Sequence, residues 1–298
     1  GRKNGRSGLP RASSVAFRSA LPDELPVSAD APIGIFDSGI GGLSVLRHVR
    51  ALLPHEELAY FADAGFAPYG DKPESVIVQR ALAIAAFLLR FHVKALVVAC
   101  NTATAAAIAA LRERYPQLIV VGVEPGLKPA AALTQTGRVG VLATAGTLSS
   151  DKFLKLQQQV ADATRVNFLL QPCHGLATQI EKGEIRSRDT ARLVTRYVAP
   201  LVAQGADTLV LGCTHYPFVE PLVREAAGPG IRIVDTGAAV ARQLQRLLEQ
   251  QGVLRASGTR GALSAYTSGS RSALAGAFRR LLTLDPPVEE VAAAVESN

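Results

Sequence analysis

From Ile33 onward the apolar positions come in short solid runs of β-branched and small residues, separated by longer amphipathic stretches. Solid apolar runs of strand length read as strands buried on both faces, and the stretches between them have the length and periodicity of helices. The first half reads as strand 33–36, a glycine turn, helix from about 43 to 52, strand 58–62, helix 74–90 and strand 95–99. An alanine-rich helix 102–115, stopped by Pro116, and strand 118–123 complete it. The second half reads as strand 138–143, helix from about 150 to 163, strand 166–170, helices 175–182 and 187–204, and strands 207–212 and 231–235. Helix 238–252, strand 262–266 and helix 271–283 follow. This alternation predicts an α/β fold: two similar doubly wound domains with parallel sheets and a site in the cleft between them.

Two pairs of segments suggest that the halves are a diverged tandem duplication. Residues 95–104, ALVVACNTAT, match 208–217, TLVLGCTHYP, and residues 33–44, IGIFDSGIGGLS, match 139–150, VGVLATAGTLSS. Buried strands resemble one another because they are buried, so the apolar letters prove little. A cysteine closing the same strand in each half, Cys100 and Cys213, is not explained that way. The expected domains are residues 33–125 plus 237–298, and 126–236, with Glu124-Pro125-Gly126 as a hinge. Residues 1–32, rich in Gly, Ser, Pro, Arg and Ala, read as a flexible N-terminal extension.

Composition narrows the class. At 298 residues, 48% hydrophobic and 19% charged, the chain can bury two cores. The net charge of +7 is not gathered into a basic stripe with interleaved aromatics, so nucleic acid is not the expected partner. No apolar run reaches membrane-spanning length. Three cysteines make no disulfide framework in a chain this size, and a reducing cytoplasm is expected. The absence of Met and the Gly at position 1 read as a trimmed, processed or incompletely represented chain.

The chemistry-bearing residues fall after strands: Asp37 and Ser38, Asp63, Cys100 to Thr102, Glu124, Thr144, and Cys213 to His215. In open parallel sheets that is where ligands bind. One hydroxyl or carboxylate there is ordinary helix capping. Two thiols at equivalent ends, each before a predicted helix whose N-terminus would lower its pKa, suit a reaction that removes a proton on one face and returns it on the other. His215 could exchange a proton with Cys213, or be structural. Cys173 is read as a small buried hydrophobe.

Competing chemistries fit less well. Gly39-Ile40-Gly41-Gly42-Leu43-Ser44 with Asp63 downstream imitates a dinucleotide fingerprint, but Ser44 replaces the third glycine and Asp37 would repel a pyrophosphate. Two cysteines and a histidine lack a fourth zinc ligand and C-x2-C spacing. No lysine stands at a matching strand end to hold pyridoxal phosphate. No metal and no cofactor are expected.

Asp37-Ser38-Gly39-Ile40-Gly41-Gly42, Pro68-Tyr69-Gly70, Cys100-Asn101-Thr102-Ala103-Thr104, Glu124-Pro125-Gly126 and Gly212-Cys213-Thr214-His215-Tyr216-Pro217 occur in this order, and in them the chain resembles the glutamate racemases of the cofactor-independent aspartate/glutamate racemase superfamily. The resemblance covers residues 33 to about 250. It implies interconversion of L- and D-glutamate for bacterial cell-wall peptidoglycan, with Cys100 deprotonating the D and Cys213 the L enantiomer. It further implies that Asp37 and His215 assist these thiols, and that Ser38, Tyr69, Gly70, Asn101, Thr102, Thr144, Thr147 and Thr214 bind substrate, with Asp63 and Glu181 as accessory acids. A homodimer, and activation by a uridine-nucleotide peptidoglycan precursor, belong to the same set of implications. Residues 63–67 and Ala143 depart from the family pattern, which leaves aspartate or another acidic amino acid as an alternative substrate. A ligand-binding protein without turnover is the alternative of another class.

Overall fold

The computed structural model describes residues 28–255 and 257–291, so most of the expected 1–32 extension lies outside the described residues. The chain runs β1 (Ile33–Asp37), α1 (Leu43–Leu52), β2 (Leu58–Ala62), α2 (Glu74–Leu89), β3 (Ala95–Val98), α3 (Asn101–Arg114) and β4 (Ile119–Gly122). It continues through α4 (Leu127–Leu133), β5 (Arg138–Ala143), α5 (Ala145–Leu148), α6 (Asp151–Thr164), β6 (Asn167–Pro172), α7 (Leu176–Glu181), α8 (Arg188–Ala203), β7 (Thr208–Leu211), α9 (Glu220–Ala227) and β8 (Arg232–Val234). The last elements are α10 (Gly237–Gln250), β9 (Leu263–Thr267), α11 (Arg271–Leu282) and β10 (Val288–Glu290).

Two all-parallel sheets form, in the orders β10-β9-β2-β1-β3-β4 and β6-β5-β7-β8. The core of the first, 2-1-3-4, is the second, 6-5-7-8, shifted by four strands. The repeat read from the sequence is therefore a repeat of topology. β3 and β7 are equivalent strands, and Cys100 and Cys213 follow equivalent ends.

Each sheet is covered on both faces because its strands are apolar on both. In β1, Ile33 and Ile35 pack with Leu46 and Val49 of α1, Leu244 of α10 and Phe278 of α11. Phe36 points to the opposite face, with Ile84 and Leu88 of α2 and Leu111 of α3. The second sheet packs Leu209 and Leu211 against α7, α8 and α9, and Val139, Val141 and Val210 against α4 and α6. The paired glycines of the repeat have one packing reason. A Cβ on Gly34 would lie 3.2 Å from Leu88 Cδ1, and one on Gly140 would lie 2.6 Å from Leu209 Cδ2 and 2.8 Å from Leu201 Cδ1. Each glycine lets a covering helix approach the central strand.

At the N-terminal end of the first sheet, far from the strand ends that carry chemistry, Lys94 and Glu56 form an ion pair of 2.6 Å with neither side chain exposed. Lys94 also donates to the carbonyls of Ala29 and Val253, and Glu56 accepts from the amide of Arg255. These bonds satisfy the buried charges and fasten the chain entering β1 to the segment that leads back to β9.

Candidate active site

The carboxyl ends of the two sheets face each other. Among the contacts that bridge them, Ser44 Oγ donates to the carbonyl of Thr214 at 2.8 Å, the amide of Ile40 donates to Glu181 Oε2 at 3.0 Å, and Thr102 Oγ1 lies 3.0 Å from Thr144 Oγ1. Ser44 therefore has a use of its own, tying α1 to the turn after β7.

Between the sheets lies a cavity of about 190 Å³. It is smaller than the roughly 300–1,000 Å³ of pockets for drug-sized ligands and suits one small molecule. The first half lines it with Ser38, Tyr69, Gly70, Cys100, Asn101 and Thr102, and the second with Thr144, Glu181, Cys213, Thr214 and His215. Ala64, Ala67, Pro68, Ala177, Thr178 and Lys182 complete the lining, and sequence reading had singled out none of these for chemistry except Pro68, as part of a motif. Asn101 Nδ2 is buried with no hydrogen-bond partner. Among the described residues no cluster of three or more His, Cys, Asp or Glu could hold a metal ion.

Three residues expected at the site stand behind it. Asp37 has no exposure; its Oδ2 accepts from the amides of Gly39 and Gly42 at 3.2 and 2.8 Å, and its Oδ1 from Thr214 Oγ1 at 3.4 Å. The glycine turn folds around this carboxylate, and a Cβ on Gly42 would lie 2.6 Å from Asp37 Cβ. Thr147 lies beneath Thr102 and Thr144, with its hydroxyl 3.3 and 3.0 Å from theirs. Asp63 is turned away toward Arg80, Tyr69 and Ser268. Glu124 does not line the cavity either.

The two thiols differ in their support. Cys100 caps α3, its sulfur accepting from the amide of Ala103 at 3.4 Å and contacting Ser38 Oγ at 3.8 Å. The expected lowering of its pKa does not occur: burial pushes the thiol far above its ordinary range, the Asp37 charge adds to this, and the helix amide offsets only part. Cys213 is followed by a 3-10 turn, Tyr216–Val219, rather than directly by an α-helix. Its sulfur lies 3.7 Å from His215 Nδ1, and His215 Nε2 lies 2.7 Å from Glu181 Oε2. Burial would lower the pKa of His215, but its contacts with Cys213 and Glu181 raise it well above the ordinary value. Burial raises Asp37 to about 6, the Glu181 charge adding to the rise, against the opposing pull of His215 and the turn amides. Cys173 is buried and donates to the carbonyl of Gln171.

Paired α/β sheets bring a thiol each to one small cavity, and similarity to known proteins places the chain as an isomerase, an amino-acid racemase. Residues 43–244 match the family model for Asp/Glu/Hydantoin racemase. A glutamate racemase from Ectopseudomonas mendocina is 56% identical over 76% of this chain and 85% of its own. The crystal structure of a glutamate racemase isoform from Bacillus anthracis superposes with a TM-score of 0.81 at 32% identity, covering 89% of this chain and 99% of that one. The Escherichia coli glutamate racemase, solved with L-glutamate and the activator UDP-MurNAc-ala, superposes with a TM-score of 0.78 at 32% identity over 87% and 98%. The chain belongs to the Asp/Glu/Hydantoin racemase family, among its glutamate racemases.

Proposed function

We propose that the cavity interconverts L- and D-glutamate by a two-thiol mechanism that needs no cofactor. The observation that carries this reading is that Cys100 and Cys213, at equivalent ends of two repeated sheets, line one cavity. In the L-to-D direction the Cys213 thiolate takes the α-proton, and the C–H electron pair stays on carbon beside the carboxylate. The Cys100 thiol delivers its proton to the opposite face, leaving D-glutamate, a Cys213 thiol and a Cys100 thiolate. The D-to-L direction runs the same steps backward.

The surroundings fit a resting enzyme with Cys100 as thiol. A protonated His215, held by Glu181, offers a cation 3.7 Å from the Cys213 sulfur. Asp37 acts on Cys100 through charge rather than a direct bond, its carboxylate helping to hold the thiol in its protonated form. Ser38, Asn101, Thr102, Thr144 and Thr214 supply the donors that grip carboxylates while charge develops. Supply of D-glutamate for peptidoglycan, in the bacterial cytoplasm and by a homodimer, is the setting this activity suggests. Among the described residues no helix is long and apolar enough to cross a membrane.

The test is proton NMR of the protein with L- or D-glutamate in deuterated water without added cofactor. Loss of the α-proton signal with appearance of the other enantiomer, from both sides, is expected. Exchange with aspartate instead would reassign the substrate. No exchange by folded, reduced protein, with or without a uridine-nucleotide peptidoglycan precursor, would overturn the reading.

A further inference from the structure

Asp63 has no exposure and does not line the cavity, yet four donated hydrogen bonds converge on its carboxylate. Tyr69 donates its hydroxyl to Oδ2 at 2.5 Å, and Arg80 Nε donates to the same oxygen at 3.0 Å. Arg80 Nη2 and Ser268 Oγ donate to Oδ1, each at 2.6 Å. Arg80 comes from α2, and its guanidinium also lies over the Phe66 ring, 3.6 Å from the centroid. Ser268 follows β9, more than two hundred residues further on, and its hydroxyl accepts from the amide of Gly65 at 3.1 Å.

Of these residues only Tyr69 reaches the cavity, where it stands in a wall with Ala64, Ala67, Pro68 and Gly70, at the start of the 3-10 turn Tyr69–Asp71. No strand ladder holds this wall. It also meets the second half closely: a Cβ on Gly70 would lie 3.0 Å from Thr144 Cβ, and one on Gly146 would lie 3.0 Å from the Gly70 carbonyl. A buried carboxylate with all its donors in place is a rigid anchor, and losing one donor leaves charge uncompensated.

We propose that Arg80 and Ser268 are positioning residues for racemisation: through Asp63 they hold Tyr69, and with it the wall from Ala64 to Gly70, where substrate is gripped. The proposal rests on the glutamate reading and deepens it. It assigns a task in the site to a segment that follows the whole second sheet in sequence. Neither residue touches either thiol, so slackening the wall weakens substrate binding more than proton transfer.

The experiment compares Ser268→Ala, Arg80→Lys and Tyr69→Phe with the parent protein. Ser268→Ala and Tyr69→Phe should each raise KM for glutamate about 5–20-fold, less than one charge-assisted hydrogen bond is worth because the loss reaches substrate through the wall, with kcat changed less than about threefold. Arg80→Lys, which keeps the charge and loses the fork, should fall between them and the parent. Because both act through Asp63, Ser268→Ala combined with Tyr69→Phe should raise KM by clearly less than the product of the single effects. An unchanged KM in Ser268→Ala, or effects that multiply, overturns the proposal.

A second readout does not depend on turnover. The Tyr69 hydroxyl proton, assigned by its loss in Tyr69→Phe, should exchange slowly in proton NMR and shift in Ser268→Ala and Arg80→Lys. A hydroxyl proton insensitive to both variants overturns the network whatever the activity. If the parent protein fails to racemise glutamate, the functional reading falls and this signal still decides whether the network exists. If the parent racemises and KM does not move, the positioning proposal falls alone.

Discussion

The two halves place a thiol at the same point of the same topology and then surround it differently. Cys100 begins a fourteen-residue helix and stands near a buried carboxylate, Asp37. Cys213 precedes a short 3-10 turn by three residues and stands beside an imidazole backed by Glu181. Repetition accounts for where the sulfurs are. Their electrostatics diverged after the scaffold was shared, because topology fixes a strand end to within a residue or two whereas charge depends on single side chains. Burial and Asp37 hold the first thiol protonated, whereas the second has an imidazole 3.7 Å from its sulfur.

The hardest way to break this comparison is to remove each thiol in turn. Cys100→Ser and Cys213→Ser should each lower racemisation by about 10²–10⁴-fold or more, since each step then lacks its acid or its base. Circular dichroism at the substrate wavelength measures the loss, and thermal melting checks that the fold stands. Cys173→Ser should stay within about twofold; a loss comparable to the other two would mean that the wrong pair of thiols had been chosen.

Removing the support on one side sharpens the comparison. His215→Asn and Glu181→Gln should lower kcat/KM by about 10–100-fold, and equally in both directions, because the enantiomers have the same free energy in solution. The asymmetry should show in the isotope effect. An α-deuterium on L-glutamate should slow His215→Asn more than one on D-glutamate, since removal by Cys213 becomes the harder step. Equal isotope effects would sink the pairing of His215 with Cys213.

Asp37 gives a stability test. Its folded pKa, about 6, lies above the 3.8 of an unperturbed Asp, so the folded state holds the extra proton between those values. The associated stability is present below pH 3.8 and is lost as pH rises through 6. Measured against Asp37→Asn by denaturant titration, the parent protein should lose up to about 3 kcal/mol between pH 4 and pH 8. A constant difference across that range would contradict the buried, charge-crowded environment. Smallest of all, Thr147→Ala should raise KM about 2–5-fold, because Thr147 acts only through the hydroxyls of Thr102 and Thr144.

Much of the architecture was legible because buried parallel strands advertise themselves. The runs at 33–36, 58–62, 95–99 and 207–212 lie within a residue of β1, β2, β3 and β7. The elements that escaped were short or lay at an edge. α4 and α5 are too brief to show a period, α9 follows Pro217 and carries Pro221, and β10 is a three-residue strand with two exposed glutamates. The site divides in the same manner. Residues directly after strands, such as Ser38, Asn101 and Thr214, could be placed from the pattern. Arg80 and Ser268 could not, because nothing along the chain reveals that α2 and the turn after β9 converge on Asp63. Nor could the pKa of Cys100 be read, since a helix N-terminus is visible in sequence and the depth of burial opposing it is not.

The order of strands in the first sheet also sets a schedule for synthesis. β2 lies between β1 and β9, and β9 is made only after the entire second sheet has been translated. At about 5–20 residues per second, β2 waits roughly 10–40 s with one edge unpaired. That edge belongs to the apolar run Leu58–Ala62, a template to which another nascent chain could add. Ribosomes that stall between β8 and β9 would therefore release chains with one finished sheet and one adhesive one, substrates for chaperones rather than half-active enzymes.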